Sequence, residues 1–183
     1  MLQRPVNLVP DEPPADGDPA APLGLDEIFR RFGPSLIGRA ARILGRREGA
    51  DDLVQDVFLD AQRSLARIRN ERALYAWLTV ATVRLARYRL RVQKVRRFFR
   101  IDDMIDYREL IDRRASPDER TLLAEVYRVL ERLPVAERLA WTQRHLEGEA
   151  LDRVALLCGC SLATAKRRIA AAQAALDEEI GRE

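Results

Sequence analysis

At 183 residues, 47% of them hydrophobic, with 6% aromatics and 9 glycines, the chain is long enough for one ordinary domain or two small ones. It is rich in the helix-favouring residues Leu, Ala, Arg and Glu. No apolar run approaches the roughly 20 residues that a bilayer-spanning helix needs. Residues 1–22 lack the basic-then-apolar pattern of a secretory signal, and two cysteines do not make a disulfide framework. An all-α protein is therefore expected, cytoplasmic and without membrane insertion. The formal net charge of +3 conceals an uneven distribution: −3 over residues 1–22, +10 over 23–100, −3 over 101–118 and −1 over 119–183. A basic block beside a nearly neutral one suggests that the first folded unit meets a polyanion, with nucleic acid the leading candidate.

In chain order, residues 1–22 hold six of the nine prolines. Such a segment buries too little apolar surface to offset chain entropy and is expected to be a disordered tail. Helical periodicity then starts near Leu25 and continues to about Phe99. Over Asp51 to Leu65, a step of 100° per residue places Leu53, Val54, Val57, Phe58, Ala61 and Leu65 in one arc. The opposite face carries Asp52, Gln55, Asp56 and Leu59, with Asp60 at its edge. Such a face is either solvated surface or, as an acidic patch with an embedded leucine inside a basic domain, a protein contact.

The next helix is expected over Leu74 to about Lys94. Trp77, Leu78, Ala81, Leu85 and Val92 form its apolar stripe, so Trp77 is read as core. Arg84, Arg87, Arg91 and Lys94 gather on another face, with Arg89 to the side. From Arg84 to Arg100 no acid interrupts the cations, a density suited to phosphate contacts. Interleaved aromatics, Tyr88 among them, would allow base stacking on opened DNA. Residues 101–118 are acidic and weakly periodic and end in Ala115-Ser116-Pro117-Asp118. They read as a linker, because Pro117 disfavours helix in the residue before it.

Periodicity resumes at about Thr121. Near the end, Leu151 to Leu157 makes a short helix and Gly159 can take the left-handed conformation that closes it. Ser161 is a natural N-cap for a longer helix to about Glu179. Two helices joined by a tight Gly-containing turn form a helix-turn-helix, whose second helix enters the major groove by its early turns. There the chain offers Thr164, Lys166, Arg167 and Arg168. Cys158-Gly159-Cys160 and the single histidine, His145, fall short of the four ligands of a zinc site. No phosphate loop, nucleophile triad or carboxylate pair is present, so neither catalysis, cofactor nor metal is expected.

These segments, in this order, resemble the extracytoplasmic-function (ECF) sigma factors of bacterial RNA polymerase. The run from Ala50 to Leu59, ADDLVQDVFL, is similar to that family's AEDLVQEVFL. Leu133-Pro134, Arg138, Glu147-Gly148, Val154-Ala155, Gly159, Ser161, Thr164, Lys166 and Arg168 follow its C-terminal signature. The resemblance covers about Leu25 to Ile180 and implies two small helical domains. A region 2-like unit would span 23–100, the acidic linker 101–118, and a region 4-like helix-turn-helix unit 119–183.

The resemblance further implies that Asp52, Gln55, Asp56 and Leu59 dock on the clamp helices of the polymerase β′ subunit. Arg69, Asn70, Arg84, Arg87, Tyr88, Arg91 and Lys94 would melt and read the −10 element. Thr164, Lys166, Arg167 and Arg168 would read the −35 element. Core polymerase (β′ clamp helices and β flap), promoter DNA and an anti-sigma factor are the implied partners of a chain that is monomeric when free. Arg84 and Tyr88 stand where the family commonly has Asn and Asp, so its −10 specificity does not carry over. Ala171 and Gln173 stand where further arginines are frequent, so −35 binding outside the polymerase complex is expected to be weak. The other readings from the residues are a stand-alone helix-turn-helix regulator, or a sigma-like protein that occupies polymerase or an anti-sigma factor without initiating.

Overall fold

A computed structural model describes residues 24–65, 71–98 and 116–181, all helix and turn. The expected tail (1–22), most of the expected linker (101–118), and Arg69 and Asn70 lie outside the described residues. Helix α1 spans Leu25–Leu44, α2 Ala50–Leu65 and α3 Glu71–Phe98. In α1, Ile28, Leu36, Ala40 and Ile43 are buried, a spacing that keeps one stripe inward. Gly45, at φ 68°, turns the chain out of the helix and the short connection leads straight into α2.

Leu53, Val54, Val57 and Phe58 of α2 are buried as the periodicity requires. Phe58 meets Phe29 of α1 edge to face, with ring centroids 5.1 Å apart. Helix α3 extends beyond the expected Leu74–Lys94 at both ends. It is also more deeply buried than a single apolar stripe allows: Leu74, Trp77, Leu78, Ala81 and Leu85 are joined by Val80, Val83, Ala86 and Leu90. The reason is that α3 touches α1 and α2 on one side and helices from the C-terminal part of the chain on the other. Thr79 and Thr82, buried in this helix, donate their hydroxyls to the carbonyls of Tyr75 and Leu78 one turn back, so neither is left unsatisfied.

The C-terminal part comprises α4 (Pro117–Arg132), α5 (Val135–Trp141), a π-helical turn over Thr142–Leu146, α6 (Leu151–Cys158) and α7 (Leu162–Ile180). Helix α4 begins at Pro117, within the segment expected to be linker. Ser116 and Glu119 form a reciprocal capping box around a proline in the first turn. Proline suits that position, because the first N–H groups of a helix have no partner inside it. Tyr127, Leu130, Trp141, Ala172 and Leu176 close a core between α4, α5 and α7. A second, larger core runs from α1, α2 and α3 into Leu139, Ala140, Val154, Leu157, Cys158 and Ala165. The first three helices and the helix-turn-helix region therefore share apolar surface.

Candidate protein and nucleic-acid interfaces

The outer face of α2 presents Asp52, Gln55 and Leu59 to solvent. Leu59 is 61% exposed, so its side chain takes no part in the core on which the opposite face of α2 packs. Asp56 is placed differently. It sits half-buried at the edge of this face, its Oδ2 2.7 Å from Nη2 of Arg89 on α3. Arg89 also donates to the carbonyl of Gly49, at 2.8 Å. One guanidinium thus ties the start of α2 to α3, and Asp56 has a structural partner whatever else it meets.

On α3 the spacing of Arg84, Arg87, Arg91 and Lys94 sets four cations along one side. Arg84, Arg91 and Lys94 are exposed, whereas Arg87 and Tyr88 are half-buried. Lys94 reaches the carbonyl of Leu133 at 3.1 Å. Arg87 donates to the carbonyl of Cys158 at 3.0 Å. Burial first, then the neighbouring charges of Arg91 and Arg168, push the Arg87 pKa below its usual value. The sequence alone brings Arg87 and Arg91 together; the fold adds Arg168, 81 positions away from Arg87, to the same neighbourhood.

Helix α6 ends in a Schellman motif. Gly159, at φ 60°, sends its N–H to the carbonyl of Leu156, and Cys160 sends its own to Ala155. Ser161 then caps α7 by accepting from the Thr164 N–H at 3.2 Å. Its hydroxyl also donates to the Thr164 hydroxyl at 2.9 Å, so Thr164 is partly engaged in holding the turn. Lys166 and Arg167 are exposed and Arg168 is half-buried. Leu162, in the first turn, is 44% exposed and shares the outward early turns of α7, although no periodicity marked it. Ser161→Ala removes the cap and is expected to cost about 1 kcal/mol, measurable as a lower urea midpoint with unchanged slope.

Two residues of interest have packing roles. Gln173 accepts from the Trp141 indole N–H at 2.8 Å and donates to Asp177. Its place in the sequence therefore follows from the α5–α7 contact. His145 is exposed and stacks on Trp141, ring centroids 4.9 Å apart; burial, then Arg144, lowers its pKa. Beside Trp141, the residues Val126, Leu176 and Ile180 line an open, mainly apolar groove between α4, α5 and α7. Its lining comes from three helices distant in sequence, so no single helical stripe marks it.

Cys158 is buried, and burial, then Cys160, pushes its thiol from 9.0 to about 12. At pH 8 this thiol should resist iodoacetamide in the folded chain and react once urea exposes it. The neutral form is favoured on folding, so this contribution to stability is present below the unfolded pKa. It is lost as pH rises from 9.0 towards 12.

Among the described residues no helix is long and apolar enough to cross a membrane. The Sigma-70 region 2 family matches residues 28–96, which include α2 and nearly all of α3. The chain is 34% identical over 157 residues to the ECF RNA polymerase sigma factor SigM of Mycobacterium tuberculosis, covering 85% of this chain and 76% of that protein. It is 30% identical over 138 residues to the ECF RNA polymerase sigma-E factor of Escherichia coli, covering 70% and 72%. Among solved structures, the sigma factor RpoE from Bartonella quintana, crystallised with the anti-sigma factor NepR, shares the fold. The TM-score is 0.60 at 23% identity, over 85% of this chain and 96% of that one. The shared fold, the region 2 match and this level of identity over most of both sequences lead to one conclusion: the chain belongs to the ECF RNA polymerase sigma factor family.

Proposed function

We propose that this chain binds core RNA polymerase in the cytoplasm and directs initiation at promoters by reading and melting the −10 element and reading the −35 element. The observation that carries this is the division of surface within the first three helices. Asp52, Gln55 and Leu59 are exposed on α2, and the cations Arg84, Arg91 and Lys94 are exposed on α3. The first combines negative charge with an apolar side chain and suits a protein partner. The second suits phosphates, and each contact made there steepens the salt dependence of binding.

Residues 23–100 and 119–183 act as two reading units joined by residues 101–118. Asp52, Gln55, Asp56 and Leu59 dock on the β′ clamp helices. The open groove beside Trp141 receives the β flap. Arg69, Asn70, Arg84, Arg87, Tyr88, Arg91 and Lys94 engage the −10 element. Thr164, Lys166, Arg167 and Arg168, with Leu162 beside them, engage the −35 element. An apolar side chain there is matched to a thymine methyl group. An anti-sigma factor, the kind of partner with which the Bartonella relative was crystallised, restrains the chain until it is needed.

A gel-shift comparison tests this against a stand-alone regulator. Promoter duplex should be retarded by this chain with core polymerase and not by the chain alone at moderate salt. A shift by the chain alone, as a dimer on a palindrome, would contradict the reading.

A further inference from the structure

One cation in the basic run of α3 faces away from the others. At about 100° per residue, Arg89 lies about 180° round the helix from the middle of the arc that holds Arg84, Arg87, Arg91 and Lys94. DNA lying along that arc is met by those four side chains and not by Arg89. Arg89 turns to α2 instead. Its Nη2 donates to Oδ2 of Asp56 at 2.7 Å and its Nη1 to the carbonyl of Gly49 at 2.8 Å.

These two acceptors are seven positions apart, yet helix geometry brings them to one guanidinium. Residues i and i+7 lie on the same side of a helix. The carbonyls at its start point along the axis towards the C-terminus, whereas side chains tilt back towards the N-terminus. Gly49, at φ 75°, makes the turn that sets its carbonyl at the head of α2. There the same oxygen also accepts the Leu53 N–H at 3.1 Å. A guanidinium carries its donors in a fixed planar fork, so two bonds fix both its own orientation and that of the Asp56 carboxylate.

Stability does not account for this arrangement. The Arg89 and Asp56 side chains are 26% and 33% exposed, and an ion pair so placed adds little to folding. A cation beside the first turns of a helix also works against the macrodipole. The contribution of Arg89 is therefore local. Asp52 and Asp56 stand four positions apart, one turn on the same side of α2, where like charges repel. A cation at Asp56 offsets that repulsion. It also holds the carboxylate in one direction, at the edge of the face that carries Asp52, Gln55 and Leu59. A carboxylate has about four lone-pair positions, so the bond to Arg89 does not exhaust what Asp56 can accept from a partner.

We propose that Arg89 is a positioning residue for polymerase docking: it sets Asp56 and the head of α2 for the partner and makes no contact with DNA. This rests on the docking face assigned above.

The test uses the full chain, fluorescently labelled, with purified core polymerase. Anisotropy measures the core affinity of wild type, Arg89→Met, Asp56→Asn and the double variant, and circular dichroism checks helicity. Losing one preorganised side chain at an interface should weaken core binding by Arg89→Met about fivefold. In the Asp56→Asn background the same change should cost nothing further. An Arg89 that only supports the fold would cost as much in both backgrounds, and that result overturns the proposal. Unchanged core affinity of Arg89→Met also overturns it. Should Arg89→Met lose helicity, Arg89→Lys decides by the same cycle. Its ammonium keeps the charge but cannot span both acceptors, so binding about threefold weaker than wild type is expected and equal binding overturns the proposal.

A salt series on promoter duplex, at saturating core polymerase, reads the DNA side. Arg91→Ala should lower the slope of log affinity against log salt by about one, and Arg89→Met should leave it unchanged. A slope lowered by about one in Arg89→Met assigns this side chain to a phosphate and overturns the proposal. A wild-type chain with no affinity for core polymerase overturns the docking reading and the proposal with it. A wild-type chain that binds, with Arg89→Met binding equally well, overturns the proposal alone.

Discussion

Leu59→Arg combined with Gln55→Ala abolishes co-purification with core RNA polymerase at moderate salt and leaves helical content unchanged. Leu59 is 61% exposed and Gln55 is exposed beside it, so neither change opens a cavity in the α1–α3 core. At a protein interface, an apolar anchor of this kind is worth about 2 kcal/mol or more, roughly thirtyfold in affinity. Placing a cation where an acidic face meets its partner adds repulsion to that loss. Asp56 is the less informative target although it belongs to the same segment. Asp56→Arg would set a guanidinium against Arg89, which now pairs with the carboxylate and also holds the Gly49 carbonyl. A lost complex could then reflect a loosened α2–α3 contact. Retention of the polymerase complex by the Leu59 and Gln55 variant would remove the docking assignment.

Lys166→Ala combined with Arg167→Ala lowers transcription from −35-dependent promoters by tenfold or more. Both side chains project from the early turns of α7 and are exposed, so the fold is not expected to suffer. Losing a good base contact costs about 1–3 kcal/mol, and losing a phosphate contact lowers the slope of binding against salt by about one. The two effects separate in a salt series. A uniform loss across promoter sequences with a shallower slope assigns these side chains to phosphates. A loss confined to particular −35 sequences assigns them to bases. Promoter output that does not change removes α7 from the recognition surface.

The parts legible in the sequence are those in which a local pattern forces the structure. Leu53, Val54, Val57 and Phe58 can share a side only on a helix, and they are buried together. Gly159 and Ser161 carry their own geometry, a left-handed residue and a cap, and the α6–α7 turn is found where they place it. Pro117 taken alone signals a break, because proline restricts its predecessor. Ser116 before it and Glu119 after it make the same proline a helix start, a signature of four residues that outweighs one.

What periodicity could not supply is the pairing of distant charges. Arg39 meets Glu149 across 110 positions, and nothing within either helix singles out that partner. For the same reason Arg87 read as one of four equivalent cations. Its bond to the Cys158 carbonyl depends on α3 being covered from a second side, and no single-helix stripe anticipates that. Gln173 looked like a lost phosphate contact and is a hydrogen-bond partner of Trp141.

The most direct measurement is run-off transcription by purified core polymerase supplied with this chain on promoter-containing templates. The account predicts discrete transcripts that core enzyme alone does not make, starting at a fixed position downstream of paired −35 and −10 sequences. A chain that joins core polymerase but yields no such transcript would contradict it.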